Sequence, residues 1–302
     1  MLEKRTYLPW LILIGLMLTW GSSFILIKQG LKGFDQDSAV VGALRIIITF
    51  AVLLPAAIFR TGRVMKKHWI PLIAVGLTGN AAPAFLFAYA QTGIDSNTAG
   101  ILNSLTPLFT LLIGLMFFRL RPGWLQIAGI MAGLGGAVGL IHFSGEGGFV
   151  MNFNFAVFVL IATICYATSV NIIKVHLAAL DPVSITSFSF LFIGPPVILY
   201  LFLFTDFTAY MAEGGAARAG LGYIAILAVV GTALALVFFN KLIKMTSALF
   251  AASVTYMIPI VAILWGIIDG ERFSWNYIIW IILILGGVYM VNTNGRRNKK
   301  NI

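Results

Sequence analysis

The sequence predicts an all-α integral membrane protein with ten transmembrane helices, arranged as two inverted five-helix repeats. Composition, the spacing of apolar runs and the distribution of charge between those runs lead to this prediction. Of the 302 residues, 60% are hydrophobic and 10% are charged, with a mean hydropathy of +0.98. Soluble domains are roughly 45–50% apolar and roughly 25% charged. So few charges cannot cover a soluble domain of this size, which argues against a soluble enzyme and predicts the lipid bilayer as the main partner.

Ten apolar runs follow one another along the chain, each close to the roughly 20 residues that a transmembrane helix needs. They lie at 8–29, 38–59, 69–91, 98–118, 124–142, 153–175, 183–205, 220–240, 248–268 and 275–293. Charged residues, glycine or proline separate them, as in Arg121-Pro122-Gly123. The first run is longer than the apolar part of a signal peptide and has no cleavage site, so it is predicted to stay as the first span.

The charges between the runs predict the orientation, because Lys and Arg are retained on the cytoplasmic side during insertion. One set of alternate gaps, together with the two ends of the chain, holds 15 of the 20 Lys and Arg residues, and the other set holds eight of the ten acids. Both termini are therefore predicted to be cytoplasmic. The net charge of +10 is explained by topology, so no nucleic-acid partner is expected.

An internal duplication divides the chain into predicted repeats at 1–146 and 147–302. The segment 20–28 matches 166–174 at an offset of 146 residues, and 79–107 matches 231–259 at an offset of 152. Each half contains five spans, and because five is odd, the second half must enter the membrane from the opposite side. Such inverted repeats suit alternating access around a site near the midplane.

These residues together resemble the EamA-like family of the drug/metabolite transporter superfamily. The resemblance rests on Trp20-Gly-Ser-Ser-Phe in span 1, Leu44-Arg45 in span 2, Pro107 in span 4, Pro259 in span 9 and Glu271 after it. Arg119 stands where such proteins commonly carry an acid, so no shared role is transferred to Arg119 and Glu271. The resemblance implies a secondary transporter of a bacterial inner membrane that exports amino acids or similar small amphipathic metabolites.

Polar and aromatic residues recur at helical spacing on six of the predicted spans. Polar groups are costly in hydrocarbon, so these stripes indicate either a wet cavity or a packing seam between helices. The cavity interpretation predicts a substrate-binding chamber for a small-molecule metabolite. Its lining would be Trp20, Ser23, Asn80, Phe87, Asn103, Tyr166, Ser169, Thr232, Phe239, Thr255 and Tyr256.

Two prolines are predicted to kink helices next to this chamber. Pro107 and Pro259 lie four residues after Asn103 and Thr255, whose carbonyls lose the usual helical donor. Each freed carbonyl can accept from substrate, from water or from a neighbouring hydroxyl.

For each of three cations, a structural or gating role is one of two alternative interpretations. Arg45 lies inside span 2, where it either binds a substrate carboxylate or anchors the helix to carbonyls or to Asp37. The structural anchor is favoured, since the repeat partner of Arg45 is Leu191. Lys28 and Lys174 lie near span ends and either extend to the interface or contribute to gating.

The residues that proton coupling through a carboxylate, ATP hydrolysis or metal binding would need are not found in the sequence. No acid lies in the middle of a predicted span, no phosphate-binding loop is present, and no His, Cys or acid cluster has metal-ligand spacing. We therefore expect no cofactor, no metal site and no enzymatic activity. A nucleotide-sugar-type transporter, a non-transporting membrane scaffold and an intramembrane enzyme remain alternatives, and the sequence does not indicate the substrate, the direction of transport, a coupling ion or the oligomeric state.

Overall fold

The computed structural model describes residues 4–60, 63–118, 123–143, 152–246, 251, 253–271, 275 and 278–293. Arg119 and almost all of the predicted join at 145–152 lie outside these ranges. The described residues form helices and no strand, as an all-α integral membrane protein requires.

The described part of the first half contains eight helices. They are α1 (Lys4–Gly21), α2 (Ser23–Gly33), α3 (Ser38–Phe59), α4 (Arg63–Gly76), α5 (Ala82–Ala90), α6 (Ser96–Asn103), α7 (Thr106–Phe118) and α8 (Trp124–Phe143). A π-helical segment, Leu77–Ala81, joins α4 to α5.

The described part of the second half begins with a long helix after Asn152. Its helices are α9 (Phe153–His176), α10 (Pro182–Phe204), α11 (Phe207–Glu213), α12 (Gly215–Ile226), α13 (Ala235–Met245), α14 (Ile258–Ile268) and α15 (Ile278–Thr293). A second π-helical segment, Leu227–Leu234, joins α12 to α13, and a 3₁₀ turn, Ser253–Tyr256, precedes α14.

Seven helical stretches in the described residues are long and apolar enough to cross a membrane. They are Tyr7–Gly33, Ser38–Phe59, Lys67–Ala90, Ser96–Phe117, Phe153–His176, Pro182–Phe204 and Gly215–Met245. Three shorter apolar helices, Trp124–Gly136, Ile258–Ile268 and Ile278–Gly287, lie within the runs predicted as spans 5, 9 and 10. Where the sequence predicts ten full spans, the described residues therefore show seven helices of full length and three shorter ones.

Large apolar side chains cover the outside of the helices. Phe59, Trp124 and Phe204 are 87%, 77% and 74% exposed, which in water would be unfavourable at so many positions. In a bilayer these side chains contact lipid tails instead. The exposed apolar surface thus agrees with the composition, and both identify an integral membrane protein.

Glycines allow close contact where helices from the two halves meet. A Cβ added at Gly33 in α2 would lie 2.6 Å from the Cα of Gly220 in α12, so the two backbones touch. A Cβ added at Gly287 in α15 would likewise lie 2.5 Å from the backbone nitrogen of Gly133 in α8. Small residues of this kind are what helices in lipid use to pack, because burial of apolar surface gives them little attraction there.

Aspartate caps begin two of the spanning helices. Asp181 accepts from the Ser184 backbone at the start of α10, and Asp37 accepts from Ala39 and Val40 at the start of α3. Asp35, which the sequence matches to Asp181, instead lies in the turn before α3 with a φ of 45°. The cap in the first half is thus two residues later than the offset predicts. Since Asp37 caps its own helix, it is not the anchor for Arg45 that the sequence allowed.

Candidate functional site

A cavity of about 100 Å³ lies between the two halves. An apolar cavity of roughly 150 Å³ can hold benzene, so this is the scale of a small solute. Its lining includes nine of the eleven residues predicted for the chamber: Trp20, Ser23, Asn80, Phe87, Asn103, Tyr166, Ser169, Phe239 and Thr255. The structure thus brings together side chains that are as far apart in sequence as Trp20 and Thr255.

The other two predicted residues are placed differently. Thr232 is 4% exposed and is adjacent to Gly231, which does line the cavity. The side chain of Tyr256 lies outside the described part of the structure, although its backbone belongs to the 3₁₀ turn before α14.

Matched π-helical segments position Asn80 and Thr232. Asn80 Nδ2 donates to the carbonyl of Val75 at 3.3 Å, and Thr232 Oγ1 donates to the carbonyl of Leu227 at 3.1 Å. Both bonds reach back five residues, and both pairs differ by the same offset of 152. π-Helical turns interrupt the regular ladder and occur often at functional sites. Here the polar side chain in each half takes a carbonyl that the wider turn leaves accessible.

Two aromatic pairs face the cavity, and each joins one half to the other. Trp20 meets Phe239 edge to face with ring centroids 4.9 Å apart, and Tyr166 stacks on Phe87 at 5.8 Å. Trp20 matches Tyr166, and Phe87 matches Phe239, in the internal repeat. Trp20 is further fixed because its indole Nε1 donates to the Gly231 carbonyl at 2.9 Å. The contact between these two matched positions therefore occurs twice, with the roles of the two halves exchanged.

Serines pack against glycines in the same crosswise way. A Cβ at Gly231 would lie 3.1 Å from Ser23 Oγ, and a Cβ at Gly79 would collide with Ser169 Oγ. Gly79 and Gly231 are matched residues, as are Ser23 and Ser169. Any larger side chain at either glycine would push apart the π-helical segment and the helix facing it.

Arg45 lines the cavity as its one charged residue among those described. Its Nε donates to Thr232 Oγ1 at 3.0 Å, and its guanidinium also interacts with the Tyr166 phenol. Both partners are neutral. Within the described ranges, no carboxylate forms an ion pair with Arg45.

Both spans in which a proline kink is predicted are interrupted, so the helices end there where the sequence predicts only a kink. A turn at Ser104 and Leu105 separates α6 from α7, and Pro107 is the second residue of α7. The freed carbonyl of Asn103 accepts from Thr106 Oγ1 at 2.7 Å, which is the neighbouring-hydroxyl alternative. Pro259 likewise stands in the first turn of α14, after the 3₁₀ turn.

Three asparagines present amide oxygens that have no hydrogen-bond partner. These are Oδ1 of Asn80, Asn103 and Asn240, and all three residues line the cavity. Asn103 is 6% exposed and Asn240 is 3% exposed, so each oxygen is withdrawn from bulk solvent. Leaving a buried acceptor unpaired costs about 1–3 kcal/mol, which a ligand or a bound water would recover.

Asn240 and Thr186 are lining residues that the sequence reasoning missed. Asn240 Nδ2 donates to Thr186 Oγ1 at 2.9 Å, and that hydroxyl donates to the Pro182 carbonyl. Their repeat partners are Ala88 and Val40, which are fully buried and apolar. Neither residue belongs to a matched polar pair, which is the pattern that predicted the other lining residues. Their own signal was one of position alone, since both are polar residues near the end of an apolar run.

An ion-pair cluster ties the two halves together at one end of the molecule, which we call the Glu271 end. Lys28 lies 2.6 Å from Glu271 and 2.8 Å from Asp269. Glu271, whose side chain is 2% exposed, also accepts from the backbone N–H groups of Ser96 and Asn97 at 3.1 and 3.2 Å. Lys28 is therefore paired across the halves and does not simply extend to the membrane surface.

Charges at the Glu271 end also hold the pKa of Asp269 below its usual range. Burial opposes the ionised carboxylate, but hydrogen bonding and attraction from Lys28, with a smaller contribution from Lys32, outweigh it. Asp269 is thus ionised at neutral pH.

The opposite end, which we call the Asp181 end, has a weaker connection. Arg60 at the end of α3 pairs with Asp181 at 2.5 Å, with side chains 43% and 49% exposed. Exposed pairs contribute about 0–1 kcal/mol. Lys174, near the same end, is exposed. Among the described residues, no group of three or more His, Cys, Asp or Glu side chains could hold a metal ion at either end.

Comparison with known proteins assigns a family model twice to this chain. The model described as "EamA-like transporter family" matches residues 8–141 and again residues 154–293. The two matches together cover nearly the whole chain and coincide with its two halves.

Two relatives carry transporter names. A "Probable terminal-alkyne amino-acid exporter" of Streptantibioticus cattleyicolor is 30% identical over 122 residues, which is 40% of each chain. An "Uncharacterized transporter" of Archaeoglobus fulgidus is 25% identical over 284 residues, covering 93% of this chain and 98% of that one. A solved crystal structure with 18% identity superimposes with a TM-score of 0.66 over 95% of this chain and 97% of that one, which shows a shared fold.

Proposed function

The chain is a membrane transporter of the EamA-like transporter family, and we propose that it exports amino acids or similar small amphipathic metabolites. We further propose that it works as a secondary transporter, without ATP, by alternating access. The amino-acid part of the proposal draws on the exporter name of the relative from Streptantibioticus cattleyicolor, whose match covers 40% of each chain.

The observation that carries the proposal is the composition of the cavity wall. Aromatic rings of both halves stand beside amide and hydroxyl groups, as in Trp20, Tyr166, Asn80 and Thr255. Aromatic faces cover the apolar part of a solute, and a few polar groups fix its orientation. A small amphipathic metabolite matches that division.

We propose that the two matches to the family model are inverted five-helix repeats, covering residues 1–146 and 147–302. The crosswise contacts of Trp20 with Phe239 and of Tyr166 with Phe87 support this arrangement. A two-fold relation between the halves would produce the same contact twice. With ten spans, and with the charges distributed as they are, both termini would lie in the cytoplasm of a bacterial cell.

Alternating access would open the cavity at the Asp181 end and at the Glu271 end in turn. The lining extends from Ile27, next to Lys28, to Ile173 and Ile185, close to Asp181. Each end is tied by ion pairs between the halves, so opening either one requires those pairs to break. By the charge distribution, the Asp181 end would face the cytoplasm, where an exporter takes up its substrate.

Counterflow in proteoliposomes tests the function. The purified protein would be supplied with radiolabelled amino acids, nucleotide sugars and organic cations in parallel, with empty liposomes as the control. We expect exchange of one or more amino acids and none of nucleotide sugars. Uptake of a nucleotide sugar alone would favour the nucleotide-sugar-type alternative, and no flux of any solute would favour a scaffold or an intramembrane enzyme.

A further inference from the structure

The cavity contains an uncompensated positive charge. Arg45 is the single charged residue in the described lining, and its contacts, Thr232 and Tyr166, are neutral. A guanidinium inside a membrane span costs roughly 2.5–3.5 kcal/mol to insert on translocon scales, and such residues normally pair with an acid or face a polar cavity. Here the amide and hydroxyl groups of the cavity wall supply the polar surroundings of Arg45.

The acid nearest in sequence, Asp37, and the two acids that pair with Lys28 all have other partners. Asp37 caps α3 through Ala39 and Val40, and Asp269 and Glu271 pair with Lys28. A guanidinium has five N–H donors, and the hydrogen bond to Thr232 uses the one on Nε. The contact with the Tyr166 phenol engages the guanidinium as well, and the remaining Nη N–H donors are left to bind an anionic group in the cavity, where a carboxylate matches their fork geometry.

Two asparagines of the cavity wall carry buried amide oxygens that have no hydrogen-bond partner. Asn80 Nδ2 is fixed by its bond to the Val75 carbonyl, which can only accept, so Oδ1 must be the amide atom left free. Asn103 adds a second unpaired Oδ1 that is almost fully buried. Two carbonyl-type acceptors call for a ligand that donates hydrogen bonds, and a protonated amine supplies three such donors.

We propose that Arg45 binds the carboxylate of the substrate and that the amide oxygens of Asn80 and Asn103 bind its ammonium group. The substrate class is thus a zwitterionic amino acid. This inference rests on the proposed transport function and deepens it, because it assigns specificity to named residues. Arg45 then has the substrate-binding role that the sequence had ranked below a structural anchor.

The charge of the cavity separates this class from the alternatives. A purely cationic solute would meet Arg45 without a compensating acid in the described lining. A nucleotide sugar would bring the two or more negative charges of its diphosphate to a single guanidinium. A zwitterion places one negative and one positive group against one cation and a set of neutral acceptors, so its charges are matched by the wall.

The test compares an amino acid with two analogues that each lack one charged group. The amino acid would be one that the wild-type protein transports, and the analogues are its methyl ester and its N-acetyl derivative. Binding is measured by ligand-induced thermal shift on the purified full-length protein, and transport by counterflow. The variants are Arg45→Gln and Asn80→Ala. Arg218→Gln, which removes an exposed arginine from α12, is the matched control.

We expect the wild type and Arg218→Gln to prefer the amino acid over both analogues by roughly ten- to a hundredfold, the range for lost hydrogen bonds to charged groups. Arg45→Gln should lose the preference over the ester and keep the preference over the N-acetyl compound. Asn80→Ala should show the reverse pattern. Arg45→Lys keeps the charge but loses the two-pronged geometry, so it should retain an intermediate preference.

Three results would decide against the inference. Equal affinity of the wild type for the amino acid and its ester would remove the role of Arg45, as would an unchanged preference in Arg45→Gln. A loss of both preferences together in each variant would indicate a general packing defect. Thermal shift without any counterflow would leave the binding assignment standing and contradict the transport function, so the two failures are distinguishable.

Discussion

At the scale of single residues, the absence of a side chain at Gly79 permits a close contact between the halves at the cavity. A methyl group at Gly79, which lies in the π-helical segment, would collide with Ser169 Oγ and come within 3.0 Å of Ser169 Cβ. Overpacking of a tight contact typically costs about 1–3 kcal/mol. The contact thus couples the shape of one half to the position of α9 in the other.

We therefore expect Gly79→Ala to lower the melting temperature of the purified protein, measured in detergent by intrinsic fluorescence. Gly222→Ala is the matched control, because no atom lies within 4 Å of its added Cβ. The double variant Gly79→Ala/Ser169→Gly should recover most of the loss, since it removes the atom that collides. Equal melting temperatures for Gly79→Ala and Gly222→Ala would contradict the close contact.

At the scale of elements, the start of α10 depends on Asp181. Its carboxylate accepts from the Ser184 backbone and pairs with Arg60, so it both caps one helix and connects it to the end of another. Burial opposes ionisation, but the hydrogen bonds from Ser184 and the attraction of Arg60 hold the pKa of Asp181 below its usual range. The cap is thus an ionised one throughout the neutral range.

Asp181→Ala should destabilise the protein at neutral pH by about 0.5–2 kcal/mol, the usual value of a helix cap. Because the pKa of Asp181 is lower in the folded state, its contribution is present above the unfolded value of about 3.9 and is lost as the pH falls through the folded value. The difference in thermal stability between wild type and variant should therefore be constant near neutrality and disappear on acidification below about pH 4. A difference that grows on acidification would contradict this sign.

Two element-level features satisfy polar groups in and beside the cavity wall. The π-helical segments at Leu77–Ala81 and Leu227–Leu234 turn Asn80 and Thr232 onto carbonyls five residues earlier. The break before α7 frees the Asn103 carbonyl, which Thr106 then satisfies. In lipid, an interrupted helix is tolerated only where side chains or a wet cavity satisfy the released groups.

At the scale of the whole molecule, the two ends differ in how firmly they join the halves. At the Glu271 end, one almost fully buried carboxylate receives Lys28 and two backbone N–H groups, whereas the Arg60–Asp181 pair is exposed. Removing one partner of a buried pair costs far more than removing one partner of an exposed pair. The Glu271 end should therefore stay closed more of the time than the Asp181 end.

We expect Glu271→Gln to raise access to the cavity from the Glu271 end. In a Cys165→Ser background, Ser23→Cys reports on the cavity, and a membrane-impermeant maleimide added outside cells measures its accessibility. The labelling rate should increase by about tenfold, which corresponds to about 1.4 kcal/mol. Lys32→Gln is the control, because Lys32 is half exposed and its 3.4 Å pair with Asp269 contributes little. No difference between the two variants would show that the cluster does not hold this end closed.

The proposed inversion of the halves is tested by placing single cysteines in turns that occupy corresponding places in the repeats. Gln36→Cys lies before α3 and Ala179→Cys lies before α10, and both positions are exposed. An inverted arrangement predicts that external maleimide labels Gln36→Cys in intact cells and labels Ala179→Cys only after the membrane is opened. Labelling of both from the same side would exclude the inversion.

The sequence by itself determined the class of the molecule and much of the predicted chamber. Apolar length and charge distribution are properties of the chain alone, and a bilayer responds to them directly, so the helical membrane protein followed. The family also followed, because its short motifs stand in the expected order and spacing along the chain. Matching the halves then pointed to pairs such as Trp20 with Tyr166 and Asn80 with Thr232, and their side chains meet or lie near one cavity.

Only the tertiary structure decided which charges pair and which polar atoms remain free. Sequence gave no distance between Lys28 and Glu271, which are 243 residues apart. It also could not reveal that Asn240, matched to an apolar alanine, lines the cavity and carries an unpaired amide oxygen. An ion pair or an unpaired acceptor depends on angles and separations of a few ångströms, and these arise from the packing of distant helices. For the same reason, Arg45 could be assigned to the cavity only once the two halves had been placed together.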